Sequence, residues 1–340
     1  MENAHGAPEI FAAVGGRSHA SIGIGSLAAL GSGGAIMPAY QQTYRMQRAT
    51  VHPPQQAPAH YRHMTIHPIS GALGADVTGV DLKDCDAATF AELERALTDH
   101  LVVFVRDQAL TPENQIALAR RFGRPMPWPY ADHMPGFPEI TELRSEPDDE
   151  YNFGGSWHQD SLNFERPPKF TMLYCVECPA VGGDTSFANQ YLAWDHLPED
   201  LKRTLADRKA VNSAAKSYSG FAGTDDVKEH TATPLTFTLD QEQEVEHPVA
   251  QTHPVTGRKA LYVNDAFTAR FAGMSEEESL PLLRRLWDHA ITPEFTCRFR
   301  WRPGTLAIWD NRCTLHYAHN DYAGCRRVMR RIPIEGDRPM

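Results

Sequence analysis

Between Phe295 and Ile334 the chain offers three short segments, Phe295 to Trp301, Thr305 to Trp309 and Arg326 to Ile334, dense in aromatic, β-branched and aliphatic residues. Turn residues punctuate them, with Pro303-Gly304 after the first and Tyr322 to Gly324 before the last. Runs this short read as strands, because a helix needs about ten residues or more to present a buried face. Residues 150–195 and 245–265 have the same texture of short alternating runs broken by Gly and Pro and read as antiparallel strands. The predicted architecture is mainly β with flanking helices, a double-sheet barrel with the helices packed outside.

Helical patterns are few but well marked. Phe90, Leu93 and Leu97 recur at helical spacing ahead of a buried strand from Leu101 to Val105. Thr111 followed by Pro112 and Glu113 predicts an N-cap and a helix carrying Ile116, Leu118 and Phe122 that stops at Gly123. Pro125 to Pro138 reads as an ordered loop. Ser275 and Glu278 make a capping box for a helix with Leu283, Leu286 and Trp287 behind it, and Pro281 predicts a second start at Ser279.

Residues 1–60 differ in kind. Their only charged residues are Glu2, Glu9, Arg17, Arg45 and Arg48, and they lack any sustained apolar period. A disordered N-terminal extension is predicted there, with Met46 or Met64 as alternative starts and a single catalytic domain over residues 61–340. The net charge of −10 argues against sequence-independent nucleic-acid binding, which needs a basic face. No run approaches the ~20 consecutive apolar residues that span a bilayer, so no membrane partner is expected. Six cysteines in 340 residues do not form a disulfide framework, and reduced thiols in a cytoplasm are the expectation. Cys175 and Cys178 form one C-x-x-C with no second pair at zinc-finger spacing, so they read as strand residues.

Two H-x-D tripeptides occur, His158-Gln159-Asp160 and His319-Asn320-Asp321. In a strand, residues i and i+2 share a face, so such a pair can reach one ion from one side. A third ligand from a distant strand would complete the two-His-one-carboxylate face of a non-haem ferrous site. His316 is the candidate for the first tripeptide, whereas the second has no His downstream of it. A zinc hydrolase could use the same ligands, with a bound water as nucleophile. Beyond His316, Arg326-Arg327-Val328-Met329-Arg330-Arg331 places Arg327 and Arg331 on one strand face by parity. The charges then balance: a ferrous ion with one carboxylate is +1, a dicarboxylate is offset by one further Arg, and a second Arg can hold an anionic substrate.

Several motifs in order carry a family resemblance. Trp157-His158-Gln159-Asp160, Gly182-Gly183-Asp184-Thr185, His253-Pro254-Val255-Thr256-Gly257-Arg258, Trp309-Asp310-Asn311-Arg312 and Arg326-Arg327-Val328-Met329-x-Arg331 resemble the taurine dioxygenase family of Fe(II)- and 2-oxoglutarate-dependent oxygenases. The likeness runs from Thr65, through Val103-Phe104-Val105-Arg106-Asp107-Gln108, to Arg338. It implies a double-stranded β-helix, or jelly roll. It further implies that His158, Asp160 and His316 bind iron, that Thr185 and Arg327 hold the distal carboxylate of 2-oxoglutarate, and that Arg331 faces a substrate anion. O2 is then consumed as 2-oxoglutarate becomes succinate and CO2 and a substrate C–H bond is hydroxylated. Where that carbon bears sulfur or ether oxygen, the adduct collapses with C–S or C–O cleavage. The family includes enzymes of taurine, alkyl sulfates and aryloxyalkanoates, and its members commonly self-associate, which implies a dimer or tetramer.

This chain departs from the taurine enzymes around the substrate. Phe153 and Gly154 stand where those enzymes carry Asp and Asn, and Trp128, with Tyr130 close by, stands where they carry a substrate-contacting His. Phe267 in Asn264-Asp265-Ala266-Phe267 matches a pocket aromatic, and Ser161 beside the first tripeptide is placed in the same pocket. Loss of amine acceptors and gain of aromatic surface predict an apolar-bodied anion as substrate, not taurine itself. The expected substrate is thus an alkyl sulfonate, alkyl sulfate or aryloxyalkanoate, with taurine dioxygenase proper or a catalytically silent jelly-roll binding module as the alternative readings.

Overall fold

Val102–Val105 and Leu306–Asp310 are buried along their whole length, and a strand with no exposed face must be covered on both sides. In the computed structural model they are neighbours, β3 and β14, at the centre of an eight-stranded sheet. Its order is β1 (Thr65–Pro68), β2 (Ala75–Thr78), β3 (Val102–Val105), β14 (Leu306–Asp310), β6 (Phe170–Glu177), β16 (Arg327–Ile334), β5 (Phe137–Ser145) and β4 (His133–Met134). A three-stranded sheet of β13 (Thr296–Phe299), β7 (Thr185–Asn189) and β15 (Thr314–Ala318) packs on one face. Strands β12 (Thr268–Phe271), β8 (Lys209–Ser213) and β9 (Glu244–Pro248) form a further sheet, and β10 (Ala250–Thr252) pairs with β11 (Lys259–Leu261). The helices are α1 (Ala87–His100), α2 (Pro112–Phe122), α3 (Gln190–Asp195), α4 (Glu199–Leu205), α5 (Ala214–Tyr218) and α6 (Glu276–Ala290). The structure describes residues 60–151, 154–218, 231–233 and 244–340. The expected extension, apart from His60, and Phe153 lie outside the described residues.

The period of two sorts the core. Leu306 and Ile308 of β14 join Val103, Val105, Met172 and Ile332 beneath Leu93 and Leu97 of α1 and Phe122 of α2. Ala307 and Trp309 point the other way and meet Phe104, Phe187 and Phe299 between the two sheets. There Phe104 and Phe299 stack with ring centroids 3.5 Å apart. The far side of the small sheet, through Ala188 and Leu315, is covered by Leu283, Leu286 and Ala290 of α6. Any residue sharing parity with Trp309 or Met329 therefore points into the space between the sheets.

Local signals behave as their chemistry requires, with four corrections. Thr111 caps α2 in a capping box with Asn114 at the third position, and Ser275 caps α6 with Glu278. The predicted second start at Ser279 does not occur: α6 runs unbroken with Pro281 inside it. The missing proline N–H removes one bond of the second turn, and the box together with buried Leu283 and Leu286 sustains the helix. Pro125 to Pro138 is not loop throughout, because His133–Met134 and the strand from Phe137 pair as a hairpin. The end of the 150–195 strand region is helical, since the Asn189 side chain accepts from the backbone N–H groups of Tyr191 and Leu192 and starts α3. Residues 150–169 form no regular strand among the described residues.

Where β14 ends, Asp310 is clamped. Arg312 donates to it through Nη2 at 2.6 Å and Nε at 2.8 Å, and His253 Nε2 lies 3.0 Å from Oδ2. The backbone N–H groups of Val255 and Thr256 donate to His253 Nδ1, so Nε2 carries the ring hydrogen. Burial pushes the Asp310 carboxyl up, but the Arg312 charge and these bonds outweigh it and hold it at about 2. Asp310→Ala leaves Arg312 and His253 uncompensated and is expected to destabilise the fold by roughly 3–5 kcal/mol at pH 7 in urea unfolding. The folded carboxyl is depressed, so its contribution is complete above the unfolded value near ~3.9. It is lost as pH falls towards about 2, and the gap between wild type and variant should narrow over that window.

Candidate metal centre and co-substrate pocket

Two backbone hydrogen bonds bring the distant histidines together. His158 N–H donates to His316 O at 3.0 Å and His316 N–H donates back to His158 O at 2.9 Å. This is an isolated antiparallel bridge, and Asp160 follows in a turn. The expected strand placement of His158 and Asp160 is therefore corrected: the chain leaves the bridge after one residue, and Ser161 takes a φ of 50°. The carboxylate still swings to the same side. His158 Nε2 and His316 Nε2 lie 3.9 Å and 3.8 Å from Asp160 Oδ1, and all three residues are buried.

The donor chemistry suits a divalent cation. His158 Nδ1 is 2.7 Å from Ser156 O, a carbonyl that can only accept, so the ring hydrogen sits there and Nε2 offers a lone pair. Burial lowers the His316 pKa to about 3, helped by His158, and burial lowers His158 as well, so both rings stay neutral. Burial pushes the Asp160 carboxyl up, but the Arg331 charge and the Thr171 hydroxyl bond outweigh it and hold the carboxyl below the usual range. Two neutral imidazoles and one carboxylate on a common face leave room for further ligands.

A second cluster, His253, Asp310 and Cys313, also gathers ligand-type atoms. There His253 and Asp310 are already committed to each other, to Arg312 and to backbone N–H groups, so no lone pair converges on an empty point. The second tripeptide is no metal face either. His319 Nε2 is 2.7 Å from Ser186 Oγ, and Asp321 accepts from Gly183 N–H at 2.8 Å and Arg298 at 2.9 Å.

Beside the triad lies a cleft of about 60 Å3, lined by Thr185, Arg327, Arg331, Gly154, Trp309 and Tyr322 among others. Strand parity places Arg327 and Arg331 there, as expected, despite a register slip between Val328 and Met329. Register places Thr185 opposite Ala318 of β15 and Phe299 of β13. Trp301 Nε1 donates to Thr185 Oγ1 at 2.9 Å, and an indole N–H can only donate, so the Thr185 hydrogen is left to donate. Arg331 Nη2 donates to Asp160 Oδ1 at 2.6 Å, and its buried Nη1 has no partner among the described residues. Arg326 points outwards, as expected, and pairs with Glu146 and Glu177.

Trp128, Tyr130 and Phe267 do not line that cleft. They are buried in one cluster with Leu162, Tyr218 and Tyr262, because aromatic faces of this size pack against one another first. The cluster backs onto the site at two points: the Arg331 guanidinium lies 4.9 Å from the Trp128 ring and Phe267 lies 6.4 Å from the His158 ring. Ser161 is buried, is not among the residues that line the cleft, and has its hydroxyl unpartnered among the described residues. Sequence reasoning missed Trp301 and Thr171, which no motif marks. Asn311 lay inside Trp309-Asp310-Asn311-Arg312 without a role.

Within a layered β fold, the buried His158, Asp160 and His316 form a cluster that could hold a metal ion beside a cationic cleft, and comparison with known proteins gives the family. The model of the taurine catabolism dioxygenase TauD, TfdA family matches residues 65–332, and the chain belongs to that family of 2-oxoglutarate-dependent dioxygenases. An alpha-ketoglutarate-dependent sulfate ester dioxygenase of Pseudomonas putida is 37% identical over 83% of this chain and 92% of its own length. An alkylsulfatase of Acinetobacter baylyi is 34% identical over 81% of this chain and 86% of its own. The crystal structure of a taurine dioxygenase from Burkholderia xenovorans superposes with a TM-score of 0.69 at 32% identity, covering 82% of this chain and 93% of that one. Among the described residues no helix is long and apolar enough to cross a membrane.

The loop before Thr185 is held by a close approach. Gly182 has a φ of 87°, and a Cβ there would lie 2.4 Å from the Asp321 backbone oxygen. Gly182→Ala must displace that loop, and about 1–3 kcal/mol of strain there corresponds to a roughly 5- to 150-fold rise in KM for 2-oxoglutarate. Gly257→Ala, with similar φ but open space around it, should leave that KM unchanged.

Proposed function

We propose that the protein is a ferrous, 2-oxoglutarate-dependent dioxygenase that hydroxylates the carbon next to the heteroatom of an apolar-bodied organic anion, with an alkyl sulfate ester as the preferred class. The observation that carries this reading is Arg331: a buried guanidinium whose Nη1 has no partner among the described residues, set between the Asp160 carboxylate and the face of Trp128. It offers an anion a charge-assisted bond, and Leu143, Leu173 and Trp309 in the cleft wall offer the rest of the molecule apolar contact, with the buried Trp128, Tyr130 and Phe267 cluster packed behind Arg331. Gly154, at φ 98° with room for little more than hydrogen beside Ala318, supplies no amine acceptor. The sulfate ester and alkylsulfatase relatives support this class over taurine.

His158, Asp160 and His316 would hold the iron, which when bound supplies the redox chemistry that couples decarboxylation of 2-oxoglutarate to substrate hydroxylation by O2. Thr185 and Arg327 would grip the distal carboxylate, Thr185 donating the hydrogen that Trp301 leaves to it. The eight-stranded sheet facing β13, β7 and β15 supports a double-stranded β-helix within a catalytic domain of residues 61–340. Free thiols at all six cysteines fit a reducing cytoplasm. Hydroxylation next to the ester oxygen leaves an adduct that splits into an aldehyde and sulfate.

The test is succinate formation under air with ferrous iron, 2-oxoglutarate and a panel of alkyl sulfates, aryloxyacids and taurine. Alkyl sulfates should give at least a tenfold higher kcat/KM than taurine, with sulfate released in step with succinate. His158→Ala should abolish turnover, and Arg327→Ala should raise KM for 2-oxoglutarate by about a hundredfold, the order expected for a lost buried partner. Full coupled turnover by His158→Ala would sink the site assignment, and taurine as the best substrate would sink the substrate class.

A further inference from the structure

Thr171 carries no chemistry in any motif, yet its hydroxyl donates to Asp160 Oδ2 at 2.6 Å. It stands opposite Trp309 in the β14 and β6 register, and Asn311 lies just past the end of β14. Trp309 Nε1 donates to Asn311 Oδ1 at 2.9 Å, and Asn311 Nδ2 donates to Thr171 Oγ1 at 2.9 Å. Asn311 Oδ1 also accepts from the Asp160 backbone N–H at 3.3 Å. All four side chains are buried: Trp309 and Asp160 are 2% and 4% exposed, and Thr171 and Asn311 are 0%.

The hydrogens in this chain have one arrangement. An indole N–H can only donate, so Asn311 turns its carbonyl to Trp309 and its amide to Thr171. Thr171 oxygen is thereby an acceptor, and its own hydrogen goes to Asp160, whose carboxylate can only accept. At 2.6 Å the last bond has the length of a charge-assisted O–H···O⁻ contact. A carboxylate has two equivalent oxygens and can rotate between them. With Oδ2 taken, Oδ1 alone faces His158 Nε2 and His316 Nε2.

We propose that Trp309, Asn311 and Thr171 form a one-way positioning relay that fixes the Asp160 carboxylate so that Oδ1, which also accepts from Arg331 Nη2 at 2.6 Å, is the oxygen turned towards the metal position. This rests on the reading of His158, Asp160 and His316 as the metal site. Outer partners of a ligating group typically change metal affinity by 10–100-fold when removed, and Thr171 is the member that touches the ligand. Asn311 does double duty, since the same carbonyl that orders the relay also holds the backbone of Asp160.

The relay is tested on the full-length, metal-stripped protein titrated anaerobically with Co(II), read by calorimetry and by the visible absorption of the bound ion. Thr171→Val keeps the shape and removes the hydroxyl. It should weaken Co(II) binding by 10–100-fold and alter the absorption band, while Thr171→Ser should restore both. Asn311→Ala should weaken binding to a similar degree, and combining it with Thr171→Val should add little, because the members act as one unit. A folded Thr171→Val protein with wild-type affinity and spectrum overturns the relay. If Thr171→Val does not fold, wild-type affinity in Asn311→Ala overturns it equally. Failure of the wild type to bind Co(II), or unchanged binding by Asp160→Ala, would instead overturn the metal site on which the relay depends.

Discussion

The reciprocal backbone bridge between His158 and His316 is the constraint on which the site depends. Two hydrogen bonds tie residues 158 positions apart, and the rings above them come to rest with centroids 4.1 Å apart. One bridge holds because its two ends are anchored elsewhere. His316 lies in β15, which pairs along its length with β7, and the turn leading into β15 is pinned by buried Asp310 and His253 with the partly buried Arg312. The same turn carries Asn311, so the clamp that ends β14 also positions the residues around Asp160.

The electrostatics follow from burial. A chain with a net charge of −10 keeps Arg327 and Arg331 between its sheets, 8% and 4% exposed. Such charges are tolerated in an interior only beside partners. Asp160 is one, and the anions proposed for the cleft are the others. Burial also holds both imidazoles neutral, the state in which they bind a cation. Low dielectric thus keeps the two imidazoles neutral, while the two arginines make the cleft cationic.

Much of the fold was legible because local chemistry and tertiary need agreed. Thr111-Pro112 and Ser275 with Glu278 start helices through their own side chains, and Leu101 to Val105 and Leu306 to Trp309 are apolar because both faces are covered. The parity of Arg327, Met329 and Arg331 survived a register slip, since the extra residue, Val176, lies in β6 and β16 pairs evenly with β5 from Arg327 to Arg331. Signals failed where a long-range contact overrode the local pattern. Pro281 did not divide α6, because a capping box and buried leucines outweigh one lost bond. His158 and Asp160 share a side through a turn and a positive φ at Ser161, not through strand alternation.

The amino-acid sequence by itself determined which groups are available: two histidines, a carboxylate, two arginines on one strand face, and an aromatic set in place of amine acceptors. Their order and spacing were enough to mark the family. Only the tertiary structure decided how those groups are oriented, because orientation depends on partners remote in the chain. Trp301 sets the Thr185 hydroxyl across 116 positions, and Thr171 and Asn311, 140 positions apart, govern which oxygen of Asp160 is left to face the histidines. Hydrogen-bond direction is a property of a packed neighbourhood, and no periodicity along a single chain encodes it.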